Sequence, residues 1–71
     1  LEHHQRDQAI RTALARLPDR QRQALVLHRF QGMRYQEVAA AMDTTLPGVE
    51  SLIQRALAGL RAELAGKGDL V

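Results

Sequence analysis

The chain has no cysteine and no tryptophan, and its aromatic content is one tyrosine, Tyr35, and one phenylalanine, Phe30. Without cysteine there is neither a disulfide framework nor a thiolate metal site. Serine occurs once, at Ser51, and there is no Gly-rich phosphate loop and no carboxylate pair beside a plausible base. Catalysis therefore has little to work with, and the chain is read as a non-enzyme that needs no cofactor. His3 and His4, beside Glu2, make no recognisable metal site, and His28 alone on a helix reads as a boundary residue. No apolar run approaches the roughly 20 residues that span a bilayer. No signal peptide is visible, so a cytoplasmic setting without membrane contact is expected.

What is present is aliphatic. The composition is 45% hydrophobic but 3% aromatic, mostly alanine and leucine, over 71 residues. That suits closely packed helices with short turns, offers little to a sheet, and predicts one small all-α domain. Ten Lys plus Arg against eight Asp plus Glu leave a net charge of +2, and every basic residue but Lys67 is an arginine. Arginine forks onto phosphates and guanine edges better than lysine does, although a solvated surface explains the same charge balance. The chain opens on Leu1, so it reads as a fragment of a longer protein. Residues 1–5 are taken as linker or cloning remnant, 6–65 as the domain and 66–71 as a flexible tail.

Four helices are expected. Ile10, Ala13, Leu14 and Leu17 form the i, i+3, i+4, i+7 stripe of the first, from Asp7 to Leu17. Pro18 ends it and opens a second, reaching about Gln31, which would bury Ala24, Leu27 and Phe30 with Leu25 and Val26 at the margins. Gly32 supplies a left-handed stop. Tyr35–Met42 predicts a third helix of about two turns. Asp43-Thr44-Thr45 breaks it, since Asp tolerates left-handed backbone and Thr45 is a good N-cap. The last helix should run from Leu46 to about Ala65, with Val49, Ile53, Ala56, Leu60 and Leu64 inside.

Helix, three-residue turn and longer helix is the layout of a helix-turn-helix, whose second helix lies in the DNA major groove. Ala39 is the small residue needed where the axes approach, and Val38, Met42, Val49, Leu52 and Ile53 are spaced to form the corner's core. A plain helical hairpin would show the same pattern.

Three stretches narrow this further. "LPDRQRQALVL" is similar to an LP-x-x-x-R helix opening, "FQGMRYQEVAAAM" to a G-x-S/T-Y-x-E-I-A stretch, and "LPGVESLIQRAL" to a G-T-V-x-S-R-x-x-R-A recognition helix. Together, from Ala13 to Leu64, they resemble region 4 of bacterial sigma factors, particularly the extracytoplasmic-function (ECF) group. The resemblance implies an all-α, four-helix domain of the winged-helix-like, sigma region 4 type. It also implies a job in transcription initiation: docking on the promoter −35 element while bound to the β-subunit flap of RNA polymerase. A monomer, and an anti-sigma factor that occludes the domain, are further implied partners and state.

Arg55 matches the arginine of the family's R-A pair, for guanine or phosphate contact; an ion pair with Glu37 is the structural alternative. Glu50, Ser51 and Gln54 lie on the same outward arc and are base-contact candidates with it. Serine bonds to either base type, and glutamine pairs well with adenine. Glu50 departs from the family's Lys or Arg: a carboxylate near phosphates costs affinity, yet it can accept from cytosine N4, or simply favour the helix N-terminus. Leu52 and Leu57 also replace frequent arginines. Arg29, Arg34, Tyr35, Gln36 and Thr44 are phosphate-contact candidates.

Two other readings stay open. One is a sigma-like protein-interaction module that engages an anti-sigma factor or polymerase and hardly touches DNA, favoured by Glu50, Leu52 and Leu57. The other is the output domain of a LuxR-type response regulator, against which "GVESL" replaces the T-V-K-x-H stretch of that family.

Overall fold

A computed structural model describes residues 2–68, with side chains from 7 to 65. The side chains of His3 and His4, and residues 69–71 of the expected tail, lie outside the described residues. Among the described residues there are four helices and no strand, so the helix-turn-helix carries no wing. They are α1 (Glu2–Ala15), α2 (Asp19–Leu25, continued by a π-helical turn over Val26–Phe30), α3 (Tyr35–Ala41) and α4 (Leu46–Gly68).

The punctuation residues act where local sterics put them. Pro18 is extended at φ −55°, ψ 148° and caps α2, one residue outside the helix it was expected to open. Gly32 is left-handed at φ 71°, and the Met33 N–H reaches back to the Leu27 carbonyl at 3.0 Å. That link spans six residues where an ordinary Schellman closure spans five, because the preceding turn is π-wide.

Helices α1 and α4 are longer than their apolar stripes. The first takes in residues 2–6 and the last continues past Gly66 to Gly68. Neither stretch has a proline or a cap to stop backbone hydrogen bonding from propagating.

The core comprises Ala13, Leu17, Ala24, Leu25, Val38, Ala39, Met42, Val49, Ile53 and Ala56. One expectation is corrected here. Leu25, placed at a margin, is 2% exposed, whereas Phe30, expected inside, is 62% exposed. Positions 24, 27 and 30 repeat strictly every three residues, and such a row drifts by about 60° per step around a helix. By Phe30 the row has left the core face, and Leu27 is only half-buried.

Arg22, the second arginine of "LPDRQR", locks the α1–α2 corner. It pairs with Asp19 at 2.6 Å and donates to the carbonyls of Leu17 at 3.3 Å and Ala15 at 3.4 Å. The Ala15 carbonyl ends α1 and that of Leu17 lies in the turn after it, where helical partners are lacking. Across the same corner, a Cβ added at Gly59 would stand 2.8 Å from Cδ2 of the buried Leu17, so α4 passes close to the end of α1.

Candidate nucleic-acid interface

The turn between α3 and α4 aims the candidate reading helix. Asp43 sits at φ 54°, the left-handed position of a Schellman closure. Its N–H reaches the Ala40 carbonyl at 3.3 Å, and the Thr44 N–H reaches that of Ala39 at 2.9 Å. Thr45 then caps α4: its Oγ1 accepts the Gly48 N–H at 3.1 Å. A side chain at Gly48 would meet Thr44 Oγ1 at 2.7 Å and Thr45 Oγ1 at 3.2 Å, so both hydroxyls crowd this first turn.

Beneath the turn, Val38 and Ala39 of α3 and Met42 just after it meet Val49, Ile53 and Ala56 of α4, all buried. Leu52 and Leu57 are half-buried and pack on this cluster.

With its inner face committed, α4 presents Glu50, Ser51, Gln54 and Arg55 to solvent, and all four are exposed. At about 100° per residue they span an arc of roughly 140°. Arg61 is exposed on the same arc, seven residues beyond Gln54. Sequence reasoning missed it, although a spacing of seven is a sufficient signal for a shared face.

Arg55 joins no ion pair among the described residues; the two pairs found there are Arg16–Glu63 at 3.1 Å and Arg22–Asp19. No ion pair joins Arg55 to Glu37, whose carboxylate has a different partner. Its Oε1 accepts the backbone N–H of Arg34 at 2.7 Å. This is half of a capping box, and the arginine side chain has no acceptor with which to return it. The Arg34 amide is therefore not open to a phosphate, although its exposed side chain is.

Gln36 is exposed, and Tyr35 and Thr44 are half-buried. The Tyr35 ring meets His28 edge-on, with centroids 4.6 Å apart at 67°. His28 in turn places Nδ1 at 2.9 Å from the Met33 carbonyl, so that nitrogen carries the proton and donates. A residue expected only to border solvent thereby ties the loop after α2 to the start of α3. Arg29 is not brought to this cluster. It lines a separate apolar groove with Ile10, Leu25, Phe30, Leu57 and Leu60.

The arrangement is thus a rigid corner presenting a partly basic helical face, with side chains for hydrogen bonding to base edges and phosphates. Among the described residues no group of three or more His, Cys, Asp or Glu is placed to hold a metal, and no helix is long and apolar enough to cross a membrane.

Residues 7–60 match the family model for sigma-70, region 4. No curated protein and no solved structure matches the chain.

Proposed function

This chain belongs to the sigma-70 region 4 family, whose members recognise promoter −35 elements and bind RNA polymerase, and from that premise we propose that it is the −35-reading domain of an ECF-group sigma factor. It is a DNA-binding regulatory domain rather than a catalytic fold. The observation that carries the DNA-reading role is Arg55, exposed on the outer arc of α4 and free of any ion pair among the described residues. In this reading α4 enters the major groove and Arg55, Gln54 and Ser51 meet base edges. Arg34, Gln36, Tyr35 and Thr44 hold the flanking phosphates and fix the register. The domain acts as a cytoplasmic monomer. The family match over residues 7–60 displaces the LuxR-type alternative.

Fluorescence anisotropy of the chain against a randomised duplex pool tests the proposal. Enrichment of one short motif, lost in Arg55→Ala, supports base readout. Binding that ignores sequence and disappears as salt rises to physiological levels would mean phosphate attraction alone, and would sink it.

A second reading rests on Phe30, a large apolar side chain that is 62% exposed beside the groove of Ile10, Leu57 and Leu60. This groove suits a helix of the polymerase β flap or of an anti-sigma factor. Phe30→Ala should weaken polymerase capture without altering the DNA motif; unchanged capture would remove the groove from the proposal.

A further inference from the structure

Glu50 is the one acid on the outer arc of α4, and the fold gives it no structural duty. Three ordinary duties can be checked in turn. Complementing the helix dipole is the first, and that effect fades within the first turn. The helix begins at Leu46, its first turn holds no acid, and its N-terminal amides are served by Thr45 Oγ1 at Gly48. Glu50 is the fifth helical residue.

Intrahelical ion pairing is the second duty. The neighbours at three and four residues are Pro47, Leu46, Ile53 and Gln54, and none is a cation. The third is pairing across the corner. Glu50 is in neither of the two ion pairs among the described residues, and its side chain is exposed.

An exposed, unpaired carboxylate that meets DNA is repelled by every phosphate and accepted only by a hydrogen-bond donor. In the major groove the donors are the exocyclic amines, cytosine N4 and adenine N6. Adenine sets its N7 lone pair beside N6, against the second carboxylate oxygen, whereas cytosine has no acceptor on that edge. Resting on the −35-reading assignment above, we propose that Glu50 is a specificity-determining residue that selects a cytosine at one position of the DNA site and penalises the others.

The same geometry separates its position from that of Arg55. Five residues advance α4 by about 7.5 Å, roughly two base steps of about 3.4 Å each. The cytosine read by Glu50 and the guanine suited to Arg55 therefore fall at different positions in the motif. Gln54 lies about 6 Å along the same edge of the arc as Glu50, close to the level of Arg55. Glu50 thus trades overall affinity for discrimination, because its charge weakens binding to every sequence and is compensated at only one.

The test selects duplexes from a randomised pool with the whole chain and with Glu50→Gln and Glu50→Ala, after thermal unfolding confirms that both variants fold. The wild type should require cytosine at one position, by about tenfold over the other bases. Glu50→Ala should lose that preference alone and bind mixed-sequence duplex more tightly. Glu50→Gln should turn the preference to adenine, the base that a glutamine amide pairs with. If a motif is enriched but stays the same in both variants, Glu50 is a spectator and the inference falls while the −35 reading stands. If the wild-type chain enriches no motif, both fall together.

Discussion

The Glu37 carboxylate accepts the backbone N–H of Arg34 at 2.7 Å, and no ion pair joins it to Arg55. The acid that might have neutralised the reading helix is spent on starting the helix before it. Glu37→Ala should therefore cost about 1 kcal/mol of stability through the lost cap. Its effect on DNA affinity should add to that of Arg55→Ala without coupling. A double-mutant cycle by anisotropy checks this, and a coupling above about 0.5 kcal/mol would contradict the separation of the two residues.

Asp43 holds a left-handed backbone at φ 54°. Glycine adopts that conformation without steric cost, while a β-branched residue does not. Asp43→Gly should keep or raise the unfolding midpoint in urea, and Asp43→Val should lower stability by roughly 1–2 kcal/mol. An equal response to both would show that the turn can relax elsewhere.

Thr45 caps the reading helix through Gly48. Thr45→Ala should cost about 1 kcal/mol in chemical denaturation, whereas Thr45→Ser, which keeps the acceptor, should stay close to wild type. Indistinguishable curves for all three proteins would mean that water replaces the cap at no cost.

The exchange of places between Leu25 and Phe30 has a direct energetic consequence. Leu25 is 2% exposed and Phe30 is 62% exposed. Leu25→Ala should destabilise by about 2–5 kcal/mol, enough to unfold much of a domain this small. Phe30→Ala should change stability by under about 1 kcal/mol. The reverse order would restore the register in which Phe30 belongs to the core.

Arg61 shares the outer arc of α4 and joins no ion pair among the described residues. It lies about 16 Å along the helix from Glu50, where a helix leaving the groove passes the phosphate strand. Arg61→Ala should weaken binding to all duplexes alike and lower the salt slope by about one, leaving the enriched motif unchanged. A changed motif would instead place Arg61 among the base contacts.

The chain's own residues determined most of what is local. Pro18, Gly32, Asp43 and Thr45 mark where helices stop and start, because a fixed φ, a missing Cβ, tolerance of left-handed backbone and a short acceptor side chain act within a few residues. The corner motif and the outward arc of Glu50, Ser51, Gln54 and Arg55 were equally legible, since both follow from helical spacing once the helix is placed. Non-local packing decided the rest. It set which of Leu25 and Phe30 entered the core, because two elements must meet before either side of a helix is inside. It brought Arg22 to the end of α1, and it bound His28 to Met33 and Tyr35 across a loop. Each of these choices depends on which partners the folded chain brings within hydrogen-bond reach, and spacing along one helix carries no information about that.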